Sequence, residues 1–319
     1  MTEKGSFLAE SFAPPGLATQ TCVDRLSAGE ISDRSRLDRS LELHRATTLS
    51  AASYHCAATP HTPAEPEVHR RWCLAYVCRG SFGYRCAAPV THELVAGAVL
   101  IGRSGAGYLC THDHHAGGDE CLSFEFDEAL VDELHLRRLS AELDFLPPLA
   151  PLRIWGELAR VAASGAADVA LDEAGLLFAT RLLRLTQSKA LPSGEPGARD
   201  RRRAVEAALW IEAHASESVG LDDLARLAAS TPLHFLRVFT RVVGATPHQY
   251  LIRSRLARAS RLLAAGDLPV TEIALAVGFN DLSNFVRTFQ RASGVPPGKL
   301  KRALDQDRSF FQVARRTMA

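Results

Sequence analysis

No stretch of this chain stays apolar long enough to cross a bilayer. Its longest such run, LVAGAVLIG, is nine residues against the ~20 that a membrane helix needs, so no membrane partner is expected. The opening MTEKGSFLAESFAPPG has no apolar signal core and reads as a loose tail. Cysteine is present without a pattern: seven residues, an odd number, with no repeated spacing. With no export signal beside them, they point to a reduced, cytoplasmic setting rather than a disulfide framework. No Ser/His/Asp constellation, phosphate loop or paired-carboxylate motif stands out, so the chain reads as a non-enzyme without a cofactor. Net charge is small too, +1, but it is unevenly placed. From Arg199 onward there are 19 Lys+Arg against 11 Asp+Glu, and the residues before it carry 18 against 25. An acidic front and a basic back suggest a polyanionic partner for the back alone.

At 319 residues two domains are expected, because one core seldom grows past ~250–300 residues. Between about 40 and 126, short β-type runs alternate with Gly/Pro turns, as in RWCLAYVCRGSFGYRC and HELVAGAVLIG. That spacing favours a small antiparallel barrel or sandwich. From about 128 to 187 the period becomes helical. Leu171, Gly175, Phe178, Leu182 and Leu185 recur at 4,3,4,3 spacing, one apolar seam on a helix. Such a seam packs either on its own barrel or on a second copy; Leu171, Phe178 and Leu182 are taken as a homodimer contact. SKALPSGEPGARD is a linker by composition, and everything after it reads helical. The expected fold class is α+β, an antiparallel β-barrel with helices followed by an all-α domain. Its predicted division is a tail over 1–39, the barrel domain over 40–187, a linker over 188–200, the helical domain over 201–302 and a tail over 303–319.

Predicted helices run over Arg202–Ala215, Asp222–Ala228, Pro232–Val243, Pro247–Ala265, Thr271–Val277 and Leu282–Ala292, with a short piece after Pro297. Thr231-Pro232 is a cap followed by proline at the first helical position, and Gly244 and Gly294 sit where a left-handed stop is wanted. Within this region FLRVFTR at Phe235 returns as FVRTFQR at Phe285. On a helix, each copy stacks two phenylalanines on one face and two arginines on nearly the opposite one. The repeat extends to LDDLARLAASTPLHFLRVFTRVVGATP and VTEIALAVGFNDLSNFVRTFQRASGVPP, each a short helix, a tight turn and a second helix. That is the helix-turn-helix pattern, whose second helix lies in a DNA major groove.

The stretch RSRLARASRLLAAGDLPVTEIALAVGFNDLSNFVRTFQRASGVPP, with its basic linker helix, IA…GF, F-x-R-x-F and G-x-x-P in order, resembles the AraC/XylS family of bacterial transcription regulators. The resemblance covers about 202–302. Two departures are visible: Leu300 and Lys301 replace a usual tyrosine and arginine, and Ala229-Ser230 stands in the first turn where glycine is common. The resemblance implies promoter DNA as partner, RNA polymerase as a further partner of an activator, a homodimer, and an effector at the front domain. Carried over position by position, it implies base-reading by Leu233, Leu236 and Arg237 in one helix and by Leu282, Ser283, Val286 and Arg287 in the other. His234 is a further contact or a surface residue, and Arg241 and Arg291 repeat the arginine face. Arginine can grip guanine O6/N7, whereas leucine and valine can touch only thymine methyls. Arg253, Arg255, Arg258, Arg261, Lys299, Lys301 and Arg302 lie where phosphates would be, each singly also readable as a solvated charge.

The front half resembles, by layout, the cupin-like sensor domain of that family. Within it, CTHDHHAGGDEC packs Cys110, His112, His114, His115, Asp119, Glu120 and Cys121 into twelve residues. On a strand, His112 and His114 would face one way with Cys110 behind them, a set suited to zinc or copper with Cys110 or Cys121 as thiolate. The spacing to Glu120 departs from the cupin metal motif, and Tyr108 stands where a later metal histidine is expected. The alternatives are a metal- or thiol-responsive regulator acting through Cys110–Cys121, a cupin-type metalloenzyme domain, which needs a complete metal set, and an interaction module whose DNA-binding unit has decayed. The preferred reading is a solvated hairpin tip. Cys73, Cys78 and Cys86 read as small buried apolar residues. An apolar or aromatic effector is expected to meet Trp72, Tyr76 and Phe82 inside the barrel.

Overall fold

A computed structural model describes residues 38–46, 48–86, 90–114, 117–164, 170–186 and 196–305. Most of the predicted tails and of the predicted linker, and His115, lie outside them. Nine strands come first: β1 (Asp38–Arg45), β2 (Leu49–Cys56), β3 (Pro66–Val68), β4 (Trp72–Arg85), β5 (His92–Val95), β6 (Val99–Gly102), β7 (Gly107–Thr111), β8 (Asp119–Phe126) and the short β9 (Phe145–Leu146). Every pairing is antiparallel, as the alternation of runs and turns predicts. The main sheet runs β1-β2-β8-β4-β6-β9. Fourteen-residue β4 joins it to a second layer: its first half pairs with β6 and β8, and its second half with β5 and β7.

Because side chains alternate along β4, its two faces go to different cores. Cys73 and Val77 point between the layers, among Phe82, Tyr84, Leu94 and Cys121. Trp72, Leu74, Tyr76 and Cys78 point the other way, onto helices. The expected effector lining is therefore corrected for Trp72 and Tyr76: they pack outside the barrel, and only Phe82 is interior. A continuous apolar run such as WCLAYVC is buried on both faces, so its sequence does not say which face holds which neighbour.

The covering helices are α1 (Glu128–Glu133), α2 (Ala150–Ala163) and α3 (Leu171–Thr186). Phe178 and Leu182 on α3 are 1% and 0% exposed; Phe178 meets Tyr76 edge-on at 5.9 Å and Phe124 at 6.2 Å. A Cβ on Gly175 would lie 2.7 Å from the Phe124 ring, so the helix rides directly on the sheet. Of the two readings of the seam, the internal one holds. Phe178 and Leu182 are covered by their own chain, and Leu171 and Leu185 at the two ends of the seam are partly exposed. The predicted dimer contact through this seam is corrected accordingly.

Seven helices follow: α4 (Ala198–Ala213), α5 (Leu221–Leu227), α6 (Pro232–Val243), α7 (Pro247–Ala265), α8 (Val270–Ala276), α9 (Leu282–Ser293) and α10 (Pro297–Asp305). The predicted linker thus gives up 198–200 to α4, and the predicted tail gives up 303–305 to α10. Gly244 and Gly294 close α6 and α9 in the left-handed region, at φ 73° and 83°. Thr246 and Gln249 cap α7 reciprocally, and the Asp281 carboxylate accepts from Ser283 N and Asn284 N at the start of α9. Thr231, by contrast, makes no side-chain cap bond. One apolar core runs from the sheet through α2 and α3 into α7, α8 and α9. A second gathers α4, α5 and α6 with Val95 of the barrel.

Candidate nucleic-acid interface

The helix pairs α5–α6 and α8–α9 repeat in detail. In each, two phenylalanines fix the second helix from below: Phe235 and Phe239 at 5.6 Å, and Phe285 and Phe289 at 5.7 Å, all at most 1% exposed. Their burial turns the opposite faces outward. Leu233, His234, Arg237 and Arg241 are exposed on α6, with Leu236 partly covered. On α9, Leu282, Ser283, Arg287 and Arg291 are exposed, with Val286 partly covered. Leu233 is 59% exposed and Leu282 40%. Every predicted groove-facing position therefore lies on one of these two faces. His234 also reaches Asp200 Oδ1 at 3.9 Å.

The predicted phosphate contacts divide. Arg253 Nη1 donates to Pro148 O at 2.6 Å, and burial, with Arg153 nearby, pulls its pKa down to about 10. Arg261 Nη1 pairs with Glu157 Oε2 at 2.9 Å. Arg255 donates to Ala215 O and Glu217 O, both at 2.7 Å, tying α7 to the end of α4. Lys301 Nζ donates to Gly266 O at 2.6 Å, just past α7. Each of these four charges thus has a partner within the chain, with which a phosphate would have to compete. Lys299 and Arg302 are exposed and Arg258 is partly exposed, as phosphate contacts would require.

What the sequence did not signal is how firmly the barrel half grips the helical half. Arg153 of α2, 1% exposed, donates to Ala96 O at 3.0 Å and to Glu212 Oε1 of α4 at 2.7 Å, and lies over the Tyr250 ring at 5.2 Å. Burial alone would lower its pKa, but the charge of Glu212 and the neighbouring tyrosines hold it above the usual arginine value. Burial likewise opposes ionisation of Glu212, and Arg153 and the Ser254 hydroxyl overcome it, so its carboxyl titrates below the usual range. Tyr250 OH also donates to Ala96 O at 3.2 Å, and Arg181 of α3 donates to Ser293 O at 2.9 Å. Glu93 of β5 meets Arg201 of α4 at 3.3 Å. These partners lie dozens of residues apart, so no local pattern marks them.

The His/Cys segment is rearranged relative to expectation. β7 stops at Thr111, so His112 and His114 do not share a strand face. His112 Nε2 is 3.0 Å from Asp119 Oδ2 and 3.4 Å from Cys56 Sγ. His114 Nε2 turns to Glu93 Oε1 at 2.8 Å. Cys110 is paired in register with Tyr84, and Cys121 Sγ donates to Asp119 Oδ1 at 3.7 Å. Of the four candidate ligands, only His112 belongs to the cluster that forms; His112 and His114 are both buried rather than solvated, and Cys56 was missed.

Two helix-turn-helix units in tandem, carried on one connecting helix, define the class of the helical half. The family description "Helix-turn-helix domain" matches residues 224–303. The HTH-type transcriptional activator AarP of Providencia stuartii is 33% identical over 92 residues, 29% of this chain and 68% of that protein. The probable transcriptional regulator LumQ of Photobacterium leiognathi is 33% identical over 88 residues, 28% of this chain and 36% of that one. A solved structure of a probable AraC family transcriptional regulator from Rhodopseudomonas palustris is 27% identical, covering 31% of this chain and 94% of its own, with a TM-score of 0.30. The chain belongs to the AraC/XylS family of transcription regulators. It spans only about a third of the length of several of its curated relatives.

Proposed function

We propose that this chain is a sequence-specific DNA-binding transcription regulator. Its helices α6 and α9 enter adjacent major grooves, and an effector at the barrel half controls them. The observation that carries this reading is the duplicated geometry: an exposed arginine face held at equivalent places by two buried phenylalanine pairs. The nineteen-residue connector α7 spans about 28 Å at 1.5 Å per residue, close to the ~34 Å between successive major grooves on one side of a duplex. With one arginine per half-site and apolar neighbours, direct reading is sparse, and DNA shape supplies part of the selectivity. Promoter DNA is the partner, RNA polymerase a second one where the protein activates, and a homodimer, if formed, uses a surface other than the α3 seam. No catalytic role is assigned.

The test uses the full chain and duplexes selected from random sequence, followed by fluorescence anisotropy. Affinity should fall steeply as salt rises, because phosphate contacts release counterions. Arg287→Ala should cost about 1–3 kcal/mol at the selected site and relax preference at one position. Lys299→Ala should weaken all duplexes alike and lower the salt slope by about one. Equal losses on every duplex from both variants would mean that α9 does not read bases.

A further inference from the structure

Six of the seven cysteines lie between Cys56 and Cys121, and one of them takes part in a three-element convergence at the barrel rim. Cys56 closes β2, Asp119 opens β8, and the two face each other across the ladder. His112 is the first residue past β7. Gly118, at φ +66°, lets the chain pass against Cys56: a Cβ there would sit 2.1 Å from the Cys56 carbonyl oxygen. The close approach places Asp119 beside the thiol. The Cys56 Sγ, His112 Nε2 and an Asp119 oxygen all lie within 4.8 Å of one another.

Two readings of such a trio differ in geometry. A nucleophilic triad needs the thiol on one ring nitrogen and the carboxylate on the other, so that the imidazole can take a proton from sulfur while the acid orients it. Here sulfur and carboxylate both address Nε2, at 3.4 and 3.0 Å. That nitrogen offers either one proton or one lone pair, so it cannot serve both partners at once. A cation placed among the three serves all of them together. Tetrahedral zinc with bonds of about 2.3 Å to sulfur and about 2.0–2.1 Å to nitrogen and oxygen separates its donors by roughly 3.3–3.6 Å. The two distances from His112 Nε2 lie within a few tenths of an ångström of that, and the sulfur and carboxylate, within 4.8 Å of each other, close toward it on binding.

We infer that Cys56, His112 and Asp119 form a binding site for one divalent transition metal of borderline softness, of which Zn²⁺ is the type. Water fills the fourth position, and binding releases the Cys56 thiol proton to solvent. The Cys121 thiol, on the other Asp119 oxygen, orients that carboxylate without being a ligand. Cys110 and His114 lie outside the set. His114 nevertheless follows His112 by two residues and holds Glu93, which pairs with Arg201 of α4, so the site adjoins a contact between the two halves. The inference does not depend on the DNA-binding reading.

The test is optical. Chelator-treated full-length protein is titrated with Co²⁺, whose tetrahedral thiolate complexes show a sulfur-to-metal charge-transfer band, and Zn²⁺ is then added as competitor. One equivalent per chain with that band is expected. Cys56→Ser should abolish the band, and His112→Ala and Asp119→Asn should each weaken affinity at least about tenfold. Cys110→Ala and His114→Ala should retain both band and stoichiometry. Should the Cys56 variant fail to fold by circular dichroism, the wild type gives the same answer. There, one equivalent of Zn²⁺ should shield Cys56 from alkylation, mapped by mass spectrometry, and leave Cys110 unchanged. Absence of stoichiometric metal, a band surviving Cys56→Ser, a band lost with Cys110→Ala, or an unshielded Cys56 overturns the site.

Discussion

The tight turn of each helix-turn-helix unit passes through the left-handed region at one residue, glycine in one unit and alanine in the other. Gly278 turns the second unit at φ 94°, and Ala229 occupies the matching place in the first at φ 43°. The match is set by hydrogen bonds: Ser230 N donates to Ala225 O as Phe279 N donates to Ala274 O, both at 2.9 Å. A side chain in the left-handed region costs about 1–2 kcal/mol because its Cβ crowds the following carbonyl. Glycine removes that cost but adds freedom to the unfolded chain, which returns roughly 0.4–1 kcal/mol. Ala229→Gly should therefore raise stability by about 0.5–1 kcal/mol in urea unfolding, with an unchanged slope. A loss of stability would mean that the Ala229 methyl contributes packing that exceeds the strain.

Among the elements, α3 is the one whose role the sequence left open between two answers. Its 4,3,4,3 spacing states that one stripe is apolar but carries no information about what covers the stripe. The structure supplies the cover, Tyr76, Phe124 and Leu49 of the chain's own sheet. Phe178→Ala should accordingly cost about 3–5 kcal/mol in chemical denaturation, the range for emptying a buried aromatic site. It should leave the oligomeric state by sedimentation unchanged wherever the protein remains folded. A folded variant with altered assembly would return the seam to an interface. The helical half was legible almost span for span, because its determinants are local: proline at N1, left-handed glycine at the end, phenylalanines four apart. The barrel was legible as a pattern of strands and turns. The cluster at its rim was not, since Cys56 and His112 meet only through strand pairing across 56 residues.

At the scale of the molecule, the barrel and helical halves share one apolar core and are riveted by a charge pair, so they should behave as one cooperative body. Arg153 is the buried member of that pair, its side chain 2% exposed against 25% for Glu212. Its desolvation is offset by the carboxylate, the Ala96 carbonyl and the Tyr250 ring acting together. Glu212→Gln removes the compensating charge and leaves the guanidinium buried, a change that typically costs about 3–5 kcal/mol. Arg153→Met, which removes the charge as well as its partner's need to meet it indoors, should cost less, because Glu212 can still reach water. Calorimetry on the wild type should show one transition with equal calorimetric and van't Hoff enthalpies, and Glu212→Gln should lower it and divide it in two. Two transitions in the wild type would instead show that the halves are only loosely docked. In that case Arg253 and Arg261 would be released from Pro148 and Glu157, and the phosphate role first read for them from the sequence would be open to them again.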